Sequence, residues 1–239
     1  MRMEKASSPL KGEGRGEGGD KMASSPNSLQ PRFLLTTILA VLLFVPLFVF
    51  RSIGPLDFWW WMSVNIAALL ALVILTDKPS ASQIVSDFKS QPARKIGLGI
   101  LTALLLYGVF LAGNGLSRQV FPFADLDIAR VYGFKEGAST LRIALLMVGL
   151  IGPGEELLWR GYVQRRFQAS FGGVGGCLLT AALYASVHAG SGNIILVLAA
   201  AVCGLFWGFL YLRFKSVLLV AVSHTLWDGL VFLLFPFGP

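Results

Sequence analysis

Seven apolar stretches, separated by connections that hold most of the charge, leave this chain few folds to adopt. They cover about 33–50, 58–75, 96–116, a fourth beginning near Leu141, then 173–189, 194–212 and 217–235. Each approaches or exceeds the roughly 17–25 residues that a helix needs to cross hydrocarbon. Inside a bilayer the backbone finds no water, so every such stretch has to satisfy its own N–H and C=O groups, as an α-helix does. The expected fold is an all-α, polytopic membrane helix bundle of about seven transmembrane helices over residues 33–239. Composition agrees, with 55% hydrophobic and 14% charged residues and a mean hydropathy of +0.69, where a soluble domain has about 25% charged residues.

The first 32 residues form a separate region. From Ala6 to Asp20 they are mostly Gly, Ser, Glu and Lys, a composition that builds no core, and this leader (1–32) is expected to be disordered. No apolar run follows the basic start closely enough for a cleaved signal peptide, and Met22 is an alternative start. The net charge of +7 does not call for nucleic acid, because the basic residues cluster between apolar runs as membrane topology requires. With the N-terminus inside, only Arg51, Arg118, Arg130, Lys135 and Arg142 of the 20 Lys and Arg fall on the outer side. The chain is therefore expected to be an integral membrane protein with a cytoplasmic N-terminus and the lipid bilayer as its first partner. The leader's composition points to a prokaryotic plasma membrane. The mixed segment after the third stretch reads as interfacial, Trp59–Trp60–Trp61 as an interfacial belt, and Cys177 and Cys203 as packing residues.

Three stretches break the apolar rule. They are GEELLWR with Glu155, Glu156 and Arg160, YASVH with His188, and HTLWD with His224 and Asp228; the chain has no other histidine. A charge at the bilayer centre costs roughly 2.5–3.5 kcal/mol or more, so such groups face the protein interior and mark functional sites. At about 1.5 Å per residue, Glu155 lies roughly 16 Å from Arg166, His224 roughly 13 Å from Lys215 and His188 roughly 18 Å from a glycine break at Gly175 and Gly176. Three helices thus deliver polar groups to similar depth, in a site expected to open toward the cytoplasm. Glu156 and Arg160 are four apart and can pair, leaving Glu155 free; His224 and Asp228, and Tyr184 and His188, share the same spacing. Pro153 should disrupt the turn before it, and Gly152 and Gly154 should permit close approach.

The chemistry open to these groups is narrow. There is no GxSxG serine and no HExxH. A carboxylate with an imidazole can position and deprotonate water, and a second imidazole can stabilise an oxyanion. Glu155, His188 and His224 would equally make a three-ligand Zn²⁺ site with water in fourth place. Buried Glu and His also serve proton-coupled transporters.

In order along the chain, EExxxR, an aromatic-xxx-His and Hxxx(N/D) resemble the CPBP family of intramembrane proteases, which includes type II CAAX prenyl endopeptidases and bacterial relatives linked to bacteriocin processing or immunity. The resemblance covers about 141–235, the protease-like core. It implies peptide-bond hydrolysis on a membrane-associated peptide or protein substrate, prenylated or not, with Glu155 and His188 activating water. It gives His224 and Asp228 the oxyanion side, and Glu156, Arg160 and Tyr184 supporting places. The older description of the family as metalloproteases leaves the metal option open. Tyr184 stands where phenylalanine is usual, and Asp228 where asparagine is frequent. A catalytically silent immunity or scaffold protein is the alternative that the second departure allows.

Overall fold

Proline suits the first turn of a helix, where its missing N–H is not needed, and α1 opens on one, running Pro31–Phe50. The computed structural model describes residues 29–238, so the leader as far as Ser28, with its expected disorder, lies outside the described residues. Leu29, at the end of that leader, already packs against the core. α2 (Phe58–Thr76) is capped by the Asp57 carboxylate, which accepts the Trp60 N–H at 3.1 Å. There follow α3 (Lys78–Lys89), α4 (Pro92–Val120) and the short α5 (Ala124–Tyr132). A long helical run then starts at Thr140. It comprises α6 (Thr140–Leu146), a wide π turn over Met147–Ile151, α7 (Gly152–Glu156), a second π stretch over Leu157–Gln164, and α8 (Arg165–His188). α9 (Ile194–Phe214) and α10 (Val217–Asp228) are capped by the side chains of Asn193 and Ser216, and α10 continues as π turns over Gly229–Leu234.

Five of these helices are long and apolar enough to cross a membrane: α1, α2, α4, α9 and the segment Val217–Leu234. The expected fourth and fifth stretches are helical as well, but charges, wide turns and a break keep them from meeting that measure. The break falls at Gly172, with φ 77° and ψ 168°, and not at Gly175 and Gly176. Only a residue without a Cβ enters that conformation cheaply. Gly176 sits inside the helix, where the chain folds back so tightly that a Cβ would lie 2.3 Å from the Gln168 nitrogen.

The centre of the bundle is the second π stretch, whose residues Leu158–Gln164 are all buried, Arg160 and Gln164 included. A helix buried on every side has no lipid face, and the others pack around it. α8 packs on α9, α10 on α4 and α7, and α1 on α2. α4 buries only Gly99, Ala103 and Leu106, as a peripheral helix in lipid should.

The two ends of the bundle are stitched differently. At one end α3 meets the starts of α4, α8 and α10. There Arg166 pairs with Asp77, Lys95 with Asp87 at 2.6 Å, and Asp87 also accepts the Leu218 N–H at 2.9 Å. Arg32 donates to the Thr76 carbonyl at 3.3 Å and Lys215 to Gln168 at 3.1 Å. At the other end lie the α1–α2 turn, α5 and the chain's last residues. Arg142 pairs with Asp57, Arg118 donates to the Phe237 carbonyl at 3.0 Å, and Asn193 donates to the Asp127 carbonyl at 2.7 Å. α5 lies where an interfacial segment is expected. The tryptophan belt is only one residue wide: Trp60 is exposed, while Trp59 and Trp61 are buried, Trp59 donating to the Phe134 carbonyl at 2.9 Å.

Candidate active site

Pro153 has no N–H to close the preceding turn, and the π turn at Met147–Ile151 takes up the missing bond, as expected of a disrupted helix. The two glycines beside it set the neighbours' positions. A Cβ on Gly152 would lie 2.6 Å from Thr225 Oγ1, and one on Gly154 would lie 2.4 Å from Ile66 Cγ2. α10 and α2 therefore close directly onto α7. That contact brings His224, one residue before Thr225, up to the paired glutamates.

Glu156 is the hinge of the resulting network. Its Oε1 accepts from Arg160 Nη1 at 2.7 Å, the expected i, i+4 pair, and from His224 Nδ1, also at 2.7 Å. Glu156 and Arg160 are fully buried. Arg160 also donates to the Gly204 carbonyl at 3.2 Å and lies between the rings of Tyr184 and Trp207, 5.0 and 5.5 Å from their centres. One turn on, Gln164 donates to the Gly208 carbonyl at 2.8 Å. Gly204 and Gly208 let α9 approach closely; a Cβ on Gly204 would lie 3.2 Å from the Ala181 backbone.

With Nδ1–H donated to Glu156, His224 turns Nε2 toward the other two carboxyl groups. Nε2 lies 3.6 Å from Glu155 Oε2 and 3.5 Å from Asp228 Oδ2. The indole of Trp207 stacks on the imidazole, centres 3.8 Å apart and planes 22° apart. Glu155 is buried, and its Oε2 accepts from the Tyr184 hydroxyl at 3.4 Å. His188 donates Nδ1–H to the Tyr184 carbonyl at 2.7 Å, and its ring packs on Phe48 with centres 4.4 Å apart. Tyr184 thus orients the imidazole through its backbone, while its hydroxyl serves Glu155. Glu155 and His188 share no direct hydrogen bond; the imidazole close to Glu155 is that of His224.

Glu155, Tyr184, His188, His224 and Asp228 line one cavity of about 650 Å³ whose other walls are almost wholly apolar. Glu156 and Arg160 stand behind it. The cavity extends from the site along the last half of α4 and the first half of α9 to Phe48 at the end of α1 and Trp59 at the start of α2. All of these belong to the half of the bundle away from α3. The cavity therefore lies in the half of the bundle that holds the α1–α2 turn, and not in the half that holds the start of α1.

A metal finds no ready ligand set. Among the described residues, no three His, Cys, Asp or Glu side chains are grouped to hold one, and Glu155, His188 and His224 do not form such a cluster. Cys177 and Cys203 are free and buried, as expected of packing residues. Nothing in the spacing of the sequence points to the Glu156–His224 bond, Trp207 or Gln164. The four-residue spacing of Gly204 and Gly208 was a visible sign that α9 packs tightly here.

The fold and this site define a helical membrane protein with a carboxylate–imidazole cluster beneath an apolar cavity. Residues 137–230 match the model of the Rce1-like type II CAAX prenyl endopeptidases, a protease family, and so contain every candidate residue named above. Neither the curated proteins nor the solved structures give a match.

Proposed function

We propose that the protein is an intramembrane endopeptidase that hydrolyses a peptide bond of a membrane-associated substrate with water activated by Glu155. The observation that carries this reading is that Glu155 and Asp228 each lie within 3.6 Å of His224 Nε2 beside an apolar cavity, with His224 Nδ1 held by Glu156. Glu155 takes a proton from the water as its oxygen bonds to the substrate carbonyl carbon. His188, its Nδ1–H engaged by Tyr184, offers the Nε2 lone pair to the same water. The oxyanion that forms accepts hydrogen bonds from protonated His224 Nε2 and from the Asp228 carboxylic acid. The C–N bond then breaks, and the proton held by Glu155 passes to the leaving nitrogen, giving a carboxylic acid and an amine, which exchange a proton to leave as carboxylate and ammonium.

The steps of this reading use side chains and water alone; among the described residues no three His, Cys, Asp or Glu side chains are grouped to hold a metal. The N-terminus is cytoplasmic in this reading, with the basic end inside. Purified Glu155→Gln protein should melt as the wild type does and cleave no membrane-tethered peptide. Undiminished cleavage by that variant would remove Glu155 from the chemistry. A non-catalytic scaffold, by contrast, would keep its phenotype in Glu155→Gln.

A further inference from the structure

We infer that residues 235–238 form a latch: the Phe237 ring separates the cavity beside Glu155 from a polar pocket at the end of the bundle, and its release lets water into that cavity. The inference rests on the peptidase reading only for the use made of the water; the latch itself stands on contacts within the chain.

Two cavities meet at Phe237. The apolar one holds Glu155, His224 and Asp228. The other, of about 510 Å³, is lined by Tyr107, Asn114, Arg118, Asp125 and residues 236–238. Phe237 and Asn114 line both. Tyr107, Phe110, Asn114 and Arg118 follow one another on α4 at three- and four-residue spacing, hence on one face. The Phe237 ring lies on that face. It stacks on Tyr107 with centres 5.2 Å and planes 21° apart, and its centre is 6.5 Å from that of Phe110. Phe110 in turn meets Trp227, the residue before Asp228, at 4.6 Å.

Few bonds hold the segment. The π turns end at Leu234. Beyond them the Tyr107 hydroxyl donates to the Phe235 carbonyl at 3.1 Å and Arg118 to the Phe237 carbonyl at 3.0 Å, both at the exposed surface. The Phe237 N–H donates to the Tyr132 hydroxyl at 2.7 Å. Gly238 lies against the Tyr132 ring, where a Cβ would come within 2.7 Å of it. Water replaces exposed hydrogen bonds at little net cost, and a segment tied by so few can open while the bundle stays folded.

Hydrolysis consumes one water for each bond cut, and a wholly apolar space does not hold water by itself. Where the cavity reaches the surface elsewhere, its rim includes Val109, Leu116, Leu198 and Val202, all exposed and apolar. At Phe237 a polar pocket adjoins it instead. Asn114 Oδ1, at the same junction, is shielded from solvent and has no hydrogen-bond partner in the protein. It can accept from a water that passes the displaced ring.

Cys203 lines the apolar cavity and, in a Cys177→Ala background, is the chain's only thiol. Purified protein in detergent is treated with a charged methanethiosulfonate, and modification of Cys203 is followed by mass spectrometry. Phe237→Ala should raise the modification rate at least about tenfold, the gain expected of a latch that is open no more than about a tenth of the time. Tyr132→Phe keeps the ring and removes only the acceptor of the Phe237 N–H; it should raise the rate several-fold, and it decides alone if Phe237→Ala does not fold. Equal rates in the parent and the folded variants would overturn the inference. Labelling needs no catalysis. A protein that labels as expected but cleaves nothing keeps the latch and loses the peptidase reading.

Discussion

Glu156 holds two partners with one oxygen, and the balance of charge around it decides what its neighbours tolerate. Removing one member of a buried, hydrogen-bonded ion pair strands the other at low dielectric and costs about 3–5 kcal/mol. Arg160→Ala should therefore lower the thermal midpoint in detergent well before any kinetic effect is considered; an unchanged midpoint with lost cleavage would move Arg160 from support to substrate contact. Asp228 is the opposite case. Because Glu156 already fixes the His224 tautomer at 2.7 Å, Asp228 is not needed to do so. An amide can also donate to an oxyanion, so Asp228→Asn should keep its rate within about tenfold, whereas removing such a donor outright costs roughly 10²–10³. Progress curves for purified Asp228→Asn and Asp228→Ala separate these outcomes, and equal, large losses in both would sink the donor role. The pairing of Glu156 with Arg160 was legible in the sequence, since four residues along one helix fix a shared face. The Glu156–His224 bond and the Trp207 stack were not. They depend on how one helix is rotated against another, about which spacing along a single chain says nothing.

At the scale of elements, glycine and proline decide where side chains meet. Pro153 announced a disturbed turn, and the π turn before it is that disturbance. The glycine cluster after Phe171 announced a break, yet which glycine takes positive φ depends on the return of the chain over Gln168, and Gly172 does so. The close contact of α7 with α10 should be sensitive to added volume. Gly152→Val places carbon against Thr225, and overpacking of this kind costs about 1–3 kcal/mol. It should also move His224 from Glu155, so that cleavage falls further than stability does. Melting curves and rates on the same preparation check this; a rate that falls only in step with folded fraction would mean that α10 adapts without shifting His224. α3 was not anticipated, because a short polar-faced helix between two spans leaves a weak pattern beside theirs.

For the whole molecule, the bundle was readable from hydropathy because lipid forces apolar stretches to be helical. The number of crossings was less so: the run from α6 to Phe171 carries Glu155, Glu156 and Arg160, which belong to the site and not to a connection, and the chain turns back at Gly172. The side on which the cavity lies needed the structure, since equal depth along three helices does not say toward which end their side chains open a space. In the proposed chemistry Glu155 and its imidazole partners cleave a peptide bond without a metal step. Cleavage of a membrane-tethered peptide library by purified wild-type and Glu155→Gln protein, each before and after exhaustive chelation, tests it directly. The account predicts wild-type cleavage that survives chelation and no cleavage by Glu155→Gln under either condition. Wild-type activity that disappears on chelation and returns with added Zn²⁺, or cleavage that persists in Glu155→Gln, would contradict it.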